Sequence, residues 1–247
     1  MAGSVAYDFR DAVMLVTGGA SGIGAATARA CAQAGATVIA VDVDDTGLQA
    51  LAATPGIVTK RVDVADATAV AALVAEIDRA YGRVDAAVLG AAIQKRTPVA
   101  ALSDAEWRRH LAVNLDGVFH CMRALAPIMK RQRRGAILSF TSGLANLGWP
   151  GAAAYAASKG ALVGLTKCVA LELRAYGVRA NVLSPGLVAT PVFLGVASPE
   201  EVAMYRDSVG ISSPEEVVPT VLYLISDASA NLTGVVIGRR LVPSASP

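Results

Sequence analysis

Short apolar runs alternate with amphipathic stretches along the whole chain. The runs are rich in β-branched residues and lack the polar alternation of a half-exposed strand. Strands that are buried on both faces of a parallel sheet have this pattern. It predicts strands near residues 13–17, 37–41, 57–62, 86–89, 136–140, 178–183 and 235–238.

The intervening stretches predict helices near residues 22–34, 46–52, 67–81, 104–131, 152–176, 200–207 and 214–226. Alternating strands and helices imply right-handed crossovers between parallel strands. We therefore predict an α/β fold, a doubly wound parallel sheet of about seven strands with helices on both faces. No linker, low-complexity segment or internal repeat divides the sequence, so residues 1–247 are expected to form a single domain.

The composition of the chain disfavours nucleic acid and membranes as binding partners. The 247 residues are 54% hydrophobic, enough for one large buried core, and the net charge of +2 is too small to favour nucleic acid or an anionic membrane. No apolar run approaches the roughly 18–20 residues of a membrane span. The N-terminus lacks the basic and apolar regions of a secretory signal. We expect a cytoplasmic protein that binds neither nucleic acid nor membranes.

The three cysteines and two histidines indicate neither disulfides nor a metal site. Cys31, Cys121 and Cys168 are far apart and odd in number, which is neither a disulfide framework nor a zinc pattern. They are predicted to be small buried hydrophobic residues. His110 and His120 have no other potential ligands at useful spacing, so no metal is expected.

A glycine-rich turn, TGGASGIG at residues 17–24, joins the first strand to the first helix. Unpaired backbone amides and a helix N-terminus at one point favour a pyrophosphate group. A nucleoside-triphosphate loop is excluded because Ala25 and Ala26 stand where Lys and Ser or Thr would be required. The turn predicts a nucleotide cofactor, and the alternative is a glycine turn without a ligand.

Asp42 ends the second strand, 18 residues after Gly24. In a dinucleotide fold an acid at this place accepts hydrogen bonds from the adenosine ribose, which favours NAD over NADP. No Arg or Lys follows closely in the sequence to offset its charge. The alternative is an ordinary Asp that caps the next turn. Asp63 and Val64, after the third strand, are expected beside the adenine.

Tyr155 and Lys159 form a YxxxK motif in a helical stretch. Residues four apart share a helix face, so the ammonium lies near the phenol. An unperturbed phenol has a pKa of about 10 and is a poor base at neutral pH. A neighbouring cation stabilises the phenolate and lowers that pKa. The pair is therefore a candidate for proton transfer.

Taken in order, these motifs resemble the classical short-chain dehydrogenase/reductase family over nearly the whole chain. The resemblance rests on TGGASGIG, Asp42, Asp63-Val64, Asn114 in VNL, Ser142 in SFTSG, Tyr155-x-x-x-Lys159 and Ser184-Pro185-Gly186 followed by Thr190. It implies a Rossmann-type fold and hydride transfer between NAD and a secondary alcohol or its ketone.

The resemblance also implies catalytic roles. Tyr155 is expected to be the general base in oxidation and the acid in reduction, and Ser142 to hydrogen-bond the substrate oxygen. Lys159 is expected to hold the nicotinamide ribose and lower the pKa of Tyr155, and Asn114 to anchor a water molecule that links Lys159 to solvent. The alternatives are a strand-end hydroxyl for Ser142 and a filler of a helix kink for Asn114.

The residues implied to bind the cofactor are Gly18, Ser21, Gly22, Ile23, Gly24, Asp42, Asp63, Val64, Gly90, Ala91, Tyr155, Lys159, Pro185, Gly186, Val188 and Thr190. Two segments depart from the family pattern. Leu89-Gly90-Ala91-Ala92 stands in place of NNAG, which we expect the fold to tolerate. Gly238-Arg239-Arg240-Leu241 replaces a DGG turn in a segment that helps build the tetramer in similar proteins. We expect a homo-oligomer, a tetramer or a dimer.

Residues 191–213 resemble a lid over the substrate. Val192, Phe193, Leu194 and Val196 would give it an apolar inner surface, and Leu144, Leu147, Trp149, Leu187 and Phe193 are predicted to line the pocket. This lining favours an apolar or cyclic alcohol or ketone as the substrate.

Two other functions stay open. One is reduction of a 3-oxoacyl thioester on an acyl-carrier protein, usually with NADPH, which Asp42 disfavours. The other is a catalytically silent NAD-sensing protein. A basic cluster at a helix C-terminus, defined by Lys130, Arg131, Arg133 and Arg134, is either a solvated face or a dock for the acidic carrier protein.

Overall fold

One parallel sheet of seven strands forms the centre of the fold. The structure is a computed structural model and describes residues 5–239. The strands are β1 (Val13–Thr17), β2 (Thr37–Asp42), β3 (Ile57–Arg61), β4 (Ala86–Leu89), β5 (Gly135–Phe140), β6 (Val178–Ser184) and β7 (Val236–Gly238). Their order across the sheet is β3-β2-β1-β4-β5-β6-β7, and all neighbours are parallel. The predicted doubly wound sheet is confirmed.

Burial explains the apolar runs of the sequence. Every residue of β1, β4 and β5 is buried, because helices cover both faces of the sheet centre. At the edge of the sheet, Val58 and Arg61 of β3 are exposed, so this strand has a more mixed composition. The strand order reverses between β1 and β4, which opens a crevice at their carboxyl ends.

Ten α-helices are described between residues 5 and 239. They are α1 (Gly22–Gln33), α2 (Asp45–Ala52), α3 (Ala67–Tyr81), α4 (Asp104–Leu111), α5 (Gly117–Gln132), α6 (Leu144–Leu147), α7 (Ala153–Leu173), α8 (Pro191–Leu194), α9 (Pro199–Ser208) and α10 (Val218–Ile225). One core cluster joins the sheet to α3, α5 and α7, and a second joins the other face to α1, α2 and α10.

The helix predicted at 104–131 is interrupted. A π-helical turn, Ala112–Asp116, separates α4 from α5. At this turn the Asn114 side chain accepts a hydrogen bond from the Ile93 amide and donates one to the Ile93 carbonyl. Residues 214–217 form a turn ahead of α10, so the predicted helix at 214–226 starts later. The sequence pattern missed α6 and α8, because four residues are too few to show a helical period.

The cysteine prediction is correct for two residues of three. Burial raises the pKa of the Cys31 and Cys121 thiols to about 12. Cys168 is exposed, because it lies on the outer face of α7 with Leu171, three residues later. The prediction that Cys168 is buried was therefore wrong.

The histidines bond to backbone groups. His110 Nδ1 lies 2.9 Å from the carbonyl oxygen of Glu106, and His120 Nδ1 lies 3.0 Å from that of Val64. Among residues 5–239, no group of three or more His, Cys, Asp or Glu residues could hold a metal ion. Within the same span, no helix combines the length and apolarity needed to cross a membrane.

Candidate functional site

The glycine turn after β1 has the shape of a phosphate cradle. Gly18 and Gly22 have φ values of +71° and +52°, which side chains rarely adopt. A Cβ atom on Gly24 would lie 2.0 Å from the carbonyl oxygen of Gly18, so only glycine permits this close turn. Ser21, the N-cap of α1, makes no side-chain capping bond, which leaves the first amides of the helix free of a side-chain acceptor. These features fit a bound pyrophosphate.

Asp42 ties the turn to the end of β2. Its Oδ2 accepts a hydrogen bond of 3.0 Å from the amide of Ala20, and its Oδ1 accepts one of 2.7 Å from the amide of Val43. The capping contact that we considered as an alternative is therefore present. It leaves further lone pairs on the carboxylate for a ribose hydroxyl.

Strand β3 carries an arginine beside Asp42, which the sequence around Asp42 does not show. Arg61 is the residue opposite Asp42 in the β2–β3 register, and its Nε lies 3.1 Å from Oδ2 of Asp45. Strand pairing brings this arginine close although it is distant in sequence. The Arg61 and Asp45 side chains are both exposed, so most of their charge is screened by solvent and by each other.

Asp63 is held by two donors at the other side of the cleft. The amide of Ala65 donates to its Oδ1 at 2.9 Å, and Nη2 of Arg109 donates to its Oδ2 at 3.0 Å. Partial burial acts to raise the pKa of this carboxyl, but the Ala65 amide and the Arg109 guanidinium outweigh burial, and the net pKa is lowered. Arg109 lines the cleft and was not found from the sequence, because it belongs to no spaced motif.

The Leu89–Ala92 departure leaves the sheet intact. The amide of Ala91 donates to Oγ1 of Thr17 at 3.3 Å, and the amide of Gly90 donates to the Thr17 carbonyl at 3.1 Å. Residues of β4 pair with both β1 and β5. Thr17 therefore supports this segment without the usual asparagines.

Ser142, Tyr155 and Lys159 line the same cleft. Ser142 follows β5 and its Oγ accepts a hydrogen bond of 3.2 Å from the amide of Leu144 at the start of α6. Tyr155 and Lys159 lie one turn apart on α7, with the ammonium nitrogen 5.9 Å from the centre of the phenol ring. Thr141 Oγ1 donates to the Lys159 carbonyl at 2.8 Å, which fixes α7 to the end of β5.

Burial dominates the electrostatics of this pair. Burial raises the pKa of the Tyr155 phenol, and a hydrogen bond with the Ser142 side chain offsets only part of that effect. Burial also lowers the pKa of the Lys159 ammonium to about 8. The net shift of the Tyr155 pKa is opposite to the direction expected from the sequence, because desolvation of the buried phenol is the largest effect on it.

Asn114 lies behind the cleft and not on its surface. It is fully buried, with Nδ2 donating to the Ile93 carbonyl at 3.0 Å and to Ser158 Oγ at 3.1 Å. Ser158 Oγ in turn donates to the Tyr155 carbonyl at 2.7 Å. Asn114 therefore connects the loop after β4 to the backbone of Tyr155. This structural role agrees with the alternative interpretation, in which Asn114 fills a helix kink.

The substrate end of the cleft is mainly apolar. Leu144, Trp149, Leu187 and Phe193 line it as predicted. The prediction for Leu147 was wrong, because this residue is 86% exposed on the single turn of α6. Residues 191–213 include α8 and α9, which bring Val192, Phe193 and Tyr205 to the cleft, whereas Leu194 is exposed and Val196 does not line the cleft.

One charged side chain stands among these apolar residues. Arg96, in the loop after β4, lies 5.6 Å above the Trp149 ring, and its Nη1 donates to both carboxylate oxygens of Glu201 on α9, at 2.8 and 2.6 Å. Beside Arg96, the centroids of the Trp149 and Tyr205 rings are 5.8 Å apart. No sequence motif predicts a role for Arg96, because only the fold brings its loop to α9.

All the predicted cofactor residues converge on one cleft of about 290 Å³, at the carboxyl ends of the strands. This volume is at the lower end of the range for ligand pockets. Those residues are Gly18, Ser21, Gly22, Ile23, Gly24, Asp42, Asp63, Val64, Gly90, Ala91, Tyr155, Lys159, Pro185, Gly186, Val188 and Thr190. Of the four predicted catalytic residues, Asn114 alone does not line the cleft.

The basic cluster forms contacts within the chain. Arg131 donates to Asp78 at 2.5 Å and Arg134 donates to Asp227 at 2.8 Å. Lys130 lies over the Tyr176 ring at 5.0 Å. These contacts favour a solvated helix end over a docking surface for an acidic protein.

Comparisons with known proteins agree with this geometry. The sequence model described as short chain dehydrogenase matches residues 12–200. The chain is 38% identical to a 3-oxoacyl-(acyl-carrier-protein) reductase of Thermotoga maritima, over 92% of this chain and 95% of that protein. It is 34% identical to cis-4-hydroxycyclohexanecarboxylate dehydrogenase of Sinomonas cyclohexanicum, over 93% of this chain and 95% of that protein. The crystal structure of levodione reductase superposes with a TM-score of 0.88 at 31% identity, covering 94% of this chain and 97% of that one.

Replacing Lys159 should make the cofactor-free protein more stable. Its pKa falls from 10.5 to about 8 on folding, so the folded protein binds fewer protons than the unfolded chain between these values. The resulting loss of folding stability has its full value below pH 8 and decreases as the pH rises toward 10.5. Lys159→Met should therefore raise the free energy of unfolding by up to about 3 kcal/mol at pH 7 and by only about 1 kcal/mol at pH 10.

Urea denaturation of both proteins at pH 7 and pH 10 measures this difference. Lys167→Met, on the exposed side of the same helix, is the matched control and should show no comparable gain. A Lys159→Met protein that is less stable than wild type at pH 7, or a gain independent of pH, would contradict the assigned burial penalty.

Proposed function

Because this chain belongs to the short-chain dehydrogenase family, a family of oxidoreductases, we propose that it is an NAD-dependent enzyme that interconverts a secondary alcohol and its ketone. The observation that carries the proposal is the meeting of Ser142, Tyr155 and Lys159 with the glycine turn in one cleft. A proton-transfer group, a donor for the substrate oxygen and a phosphate cradle are thus within one site.

Tyr155 is the proposed proton-transfer group. A nicotinamide ring, when bound, supplies the acceptor for the hydride in oxidation and its donor in reduction. During oxidation the Tyr155 phenolate takes the hydroxyl proton of the alcohol as the carbonyl forms. During reduction the phenol returns that proton to the substrate oxygen. Ser142 donates a hydrogen bond to the same oxygen and stabilises its developing charge.

Lys159 counters the effect of burial on Tyr155. With a pKa of about 8, its ammonium is mostly protonated at pH 7. A positive charge near the phenol stabilises the phenolate and offsets the desolvation that raises the phenol pKa. We also propose that the ammonium bonds to the nicotinamide ribose. Asn114 supports the pair from behind, and its proposed water link to Lys159 completes the proton path.

The proposed preference for NAD rests on Asp42. The carboxylate lines the cleft beside the glycine turn, where the adenosine ribose is expected. A 2′-phosphate there would place about −1.5 to −2 charges against it, by analogy with other phosphomonoesters. Asp63 and Val64 are proposed to flank the adenine, and the remaining cleft residues named above to hold the phosphates and the nicotinamide.

The apolar lining supports an apolar or cyclic substrate. Trp149, Leu187 and Phe193 provide broad hydrocarbon surfaces. The relative from Sinomonas cyclohexanicum is named for a hydroxylated cyclohexane, which agrees with a ring in this cleft. We propose that residues 191–213 are the lid over this substrate and that the single domain spans residues 1–247.

Reduction of a 3-oxoacyl thioester is the second candidate. The 38% identity to the Thermotoga maritima reductase favours it. Asp42 disfavours the NADPH that such reductases usually prefer, and the internal pairing of the basic cluster disfavours docking of a carrier protein. A silent NAD-sensing protein is a weaker alternative, because Ser142, Tyr155 and Lys159 are all present.

We propose that the enzyme is a homo-oligomer, either a tetramer or a dimer, in the cytoplasm. Its proposed partner is a small alcohol or ketone, with no nucleic acid, membrane or metal involved. Trp107, Phe119 and Leu171 are large apolar residues that are more than a third exposed on the helices, which favours subunit contacts. Gly238 and Arg239 are the described part of the atypical C-terminal segment, whereas Arg240 and Leu241 lie outside the described residues.

Tyr155→Phe should abolish turnover while NAD still binds. The substitution removes only the hydroxyl, and general acid–base catalysis is worth about 10²–10⁴-fold in rate. The measurement is kcat with NAD and a cyclic secondary alcohol, together with the Kd for NAD. Tyr81→Phe, outside the cleft, is the matched control. If Tyr155→Phe kept more than about half of the turnover, Tyr155 would not be the proton-transfer group.

Wild type should prefer NAD over NADP by roughly 10²-fold in kcat/KM, because Asp42 repels the 2′-phosphate and solvent reduces that repulsion. Asp42→Ala should relax the preference mainly by losing affinity for NAD, since Arg61 stays paired with Asp45. Asp104→Ala, an exposed carboxylate on α4, is the control. A wild-type ratio near one, or in favour of NADP, would show that Asp42 does not contact the ribose.

A further inference from the structure

Arg96 lies at the substrate end of the cleft, in a loop that packs against the loop before α7. The amide of the next residue, Thr97, donates to the Gly151 carbonyl at 2.9 Å, and Gly151 has a φ of +76°. A Cβ on Gly151 would lie 3.3 Å from Cβ of Arg96, so the two loops pack closely. This contact places Arg96 against the loop that leads into the helix of Tyr155.

Only some of the N–H groups of the Arg96 guanidinium form hydrogen bonds within the described residues. Glu201 accepts hydrogen bonds from Nη1 alone, and the Trp149 ring covers one face of the group. Nε is buried and has no hydrogen-bond partner among the described residues. A buried donor without an acceptor is costly, and native structures rarely retain one without a ligand or water.

The unused donor has the right geometry for a carboxylate. Nε and Nη2 form one edge of the planar guanidinium, and such an edge bonds both oxygens of a carboxylate in a fork. Glu201 bonds to Nη1 and therefore does not occupy this edge.

We propose that the substrate is a hydroxy acid or keto acid whose carboxylate bonds to the Nε edge of Arg96 while its hydrocarbon frame packs on Trp149 and Phe193. This inference rests on the proposed function, since it names the substrate class of the same cleft. Arg96 is then the residue that determines specificity, and Glu201 positions it.

Charge favours a carboxylate over a phosphate as the bound anion. Glu201 already neutralises the charge of Arg96. Glu201 therefore repels a phosphate dianion more strongly than it repels a single carboxylate. Lys159 and Arg109 also line the cleft, but Lys159 is proposed to contact the cofactor and Arg109 is paired with Asp63. A carboxylate on an apolar ring therefore matches the cleft better than a phosphorylated or neutral substrate.

Equilibrium binding tests the assignment without requiring turnover. Isothermal titration of cyclohexanecarboxylate and of its neutral isostere, cyclohexanecarboxamide, compares the two ligands on the protein alone and with NAD present. Wild type should bind the acid at least about tenfold more tightly than the amide, because charge-assisted hydrogen bonds are stronger than neutral ones. Equal affinities, or no measurable binding of the acid, would overturn the proposal.

The variants separate the effect of the Arg96 charge from that of Glu201. Glu201→Gln keeps the guanidinium and should keep the preference for the acid. The double variant Arg96→Gln with Glu201→Gln removes both charges together and should bind acid and amide equally. Arg108→Gln, an exposed arginine on α4, should behave as wild type. A preference for the acid that persists in the double variant would overturn the role of Arg96.

Turnover separates this proposal from the proposed function. NAD-dependent oxidation is measured with a hydroxycyclohexanecarboxylate and with neutral cyclohexanol. Oxidation of both without preference for the acid would overturn the carboxylate site and leave the dehydrogenase function standing. Preferential binding of the acid without oxidation of either alcohol would support the Arg96 site and refute the proposed function.

Discussion

The site depends on the parallel pairing of the strands, because this pairing brings their carboxyl ends to one edge. Gly18 follows β1, Asp42 ends β2, Gly90 follows β4 and Ser142 follows β5. None of these residues is near the others in sequence. The reversal of strand order between β1 and β4 opens the crevice in which they meet. A local change that displaced β4 would therefore disturb both the phosphate cradle and the segment around Gly90.

Within that crevice, burial disfavours the charged forms of Tyr155 and Lys159. It raises the pKa of the Tyr155 phenol and lowers that of the Lys159 ammonium, so both charged forms are disfavoured. A charged pair in which each member stabilises the other offsets part of this cost. We propose that the protein retains a destabilising lysine because its charge brings the phenolate within reach near neutral pH. Stability and activity are thus opposed at one residue.

The sheet and most of the residues that line the cleft could be predicted from the sequence, because both follow from short-range patterns. Buried strands appear as apolar runs, and the glycine turn, Asp42 and YxxxK have fixed spacings. The contacts that depend on tertiary structure were missed. Arg61 lies beside Asp42 through strand pairing, Arg109 reaches Asp63 from α4, and Arg96 reaches Glu201 of α9 from the loop after β4. The direction of the Tyr155 pKa was also missed, because desolvation depends on packing that no spacing reveals.

We propose that the charge of Lys159 offsets the burial of Tyr155 and makes its phenol a base near neutral pH. The most direct test is the pH dependence of kcat for alcohol oxidation at saturating NAD, in wild type and in Lys159→Met. Because oxidation needs the phenolate, the apparent pKa below which activity falls should be at least about one unit higher in the variant than in wild type. The same apparent pKa in both proteins would contradict it.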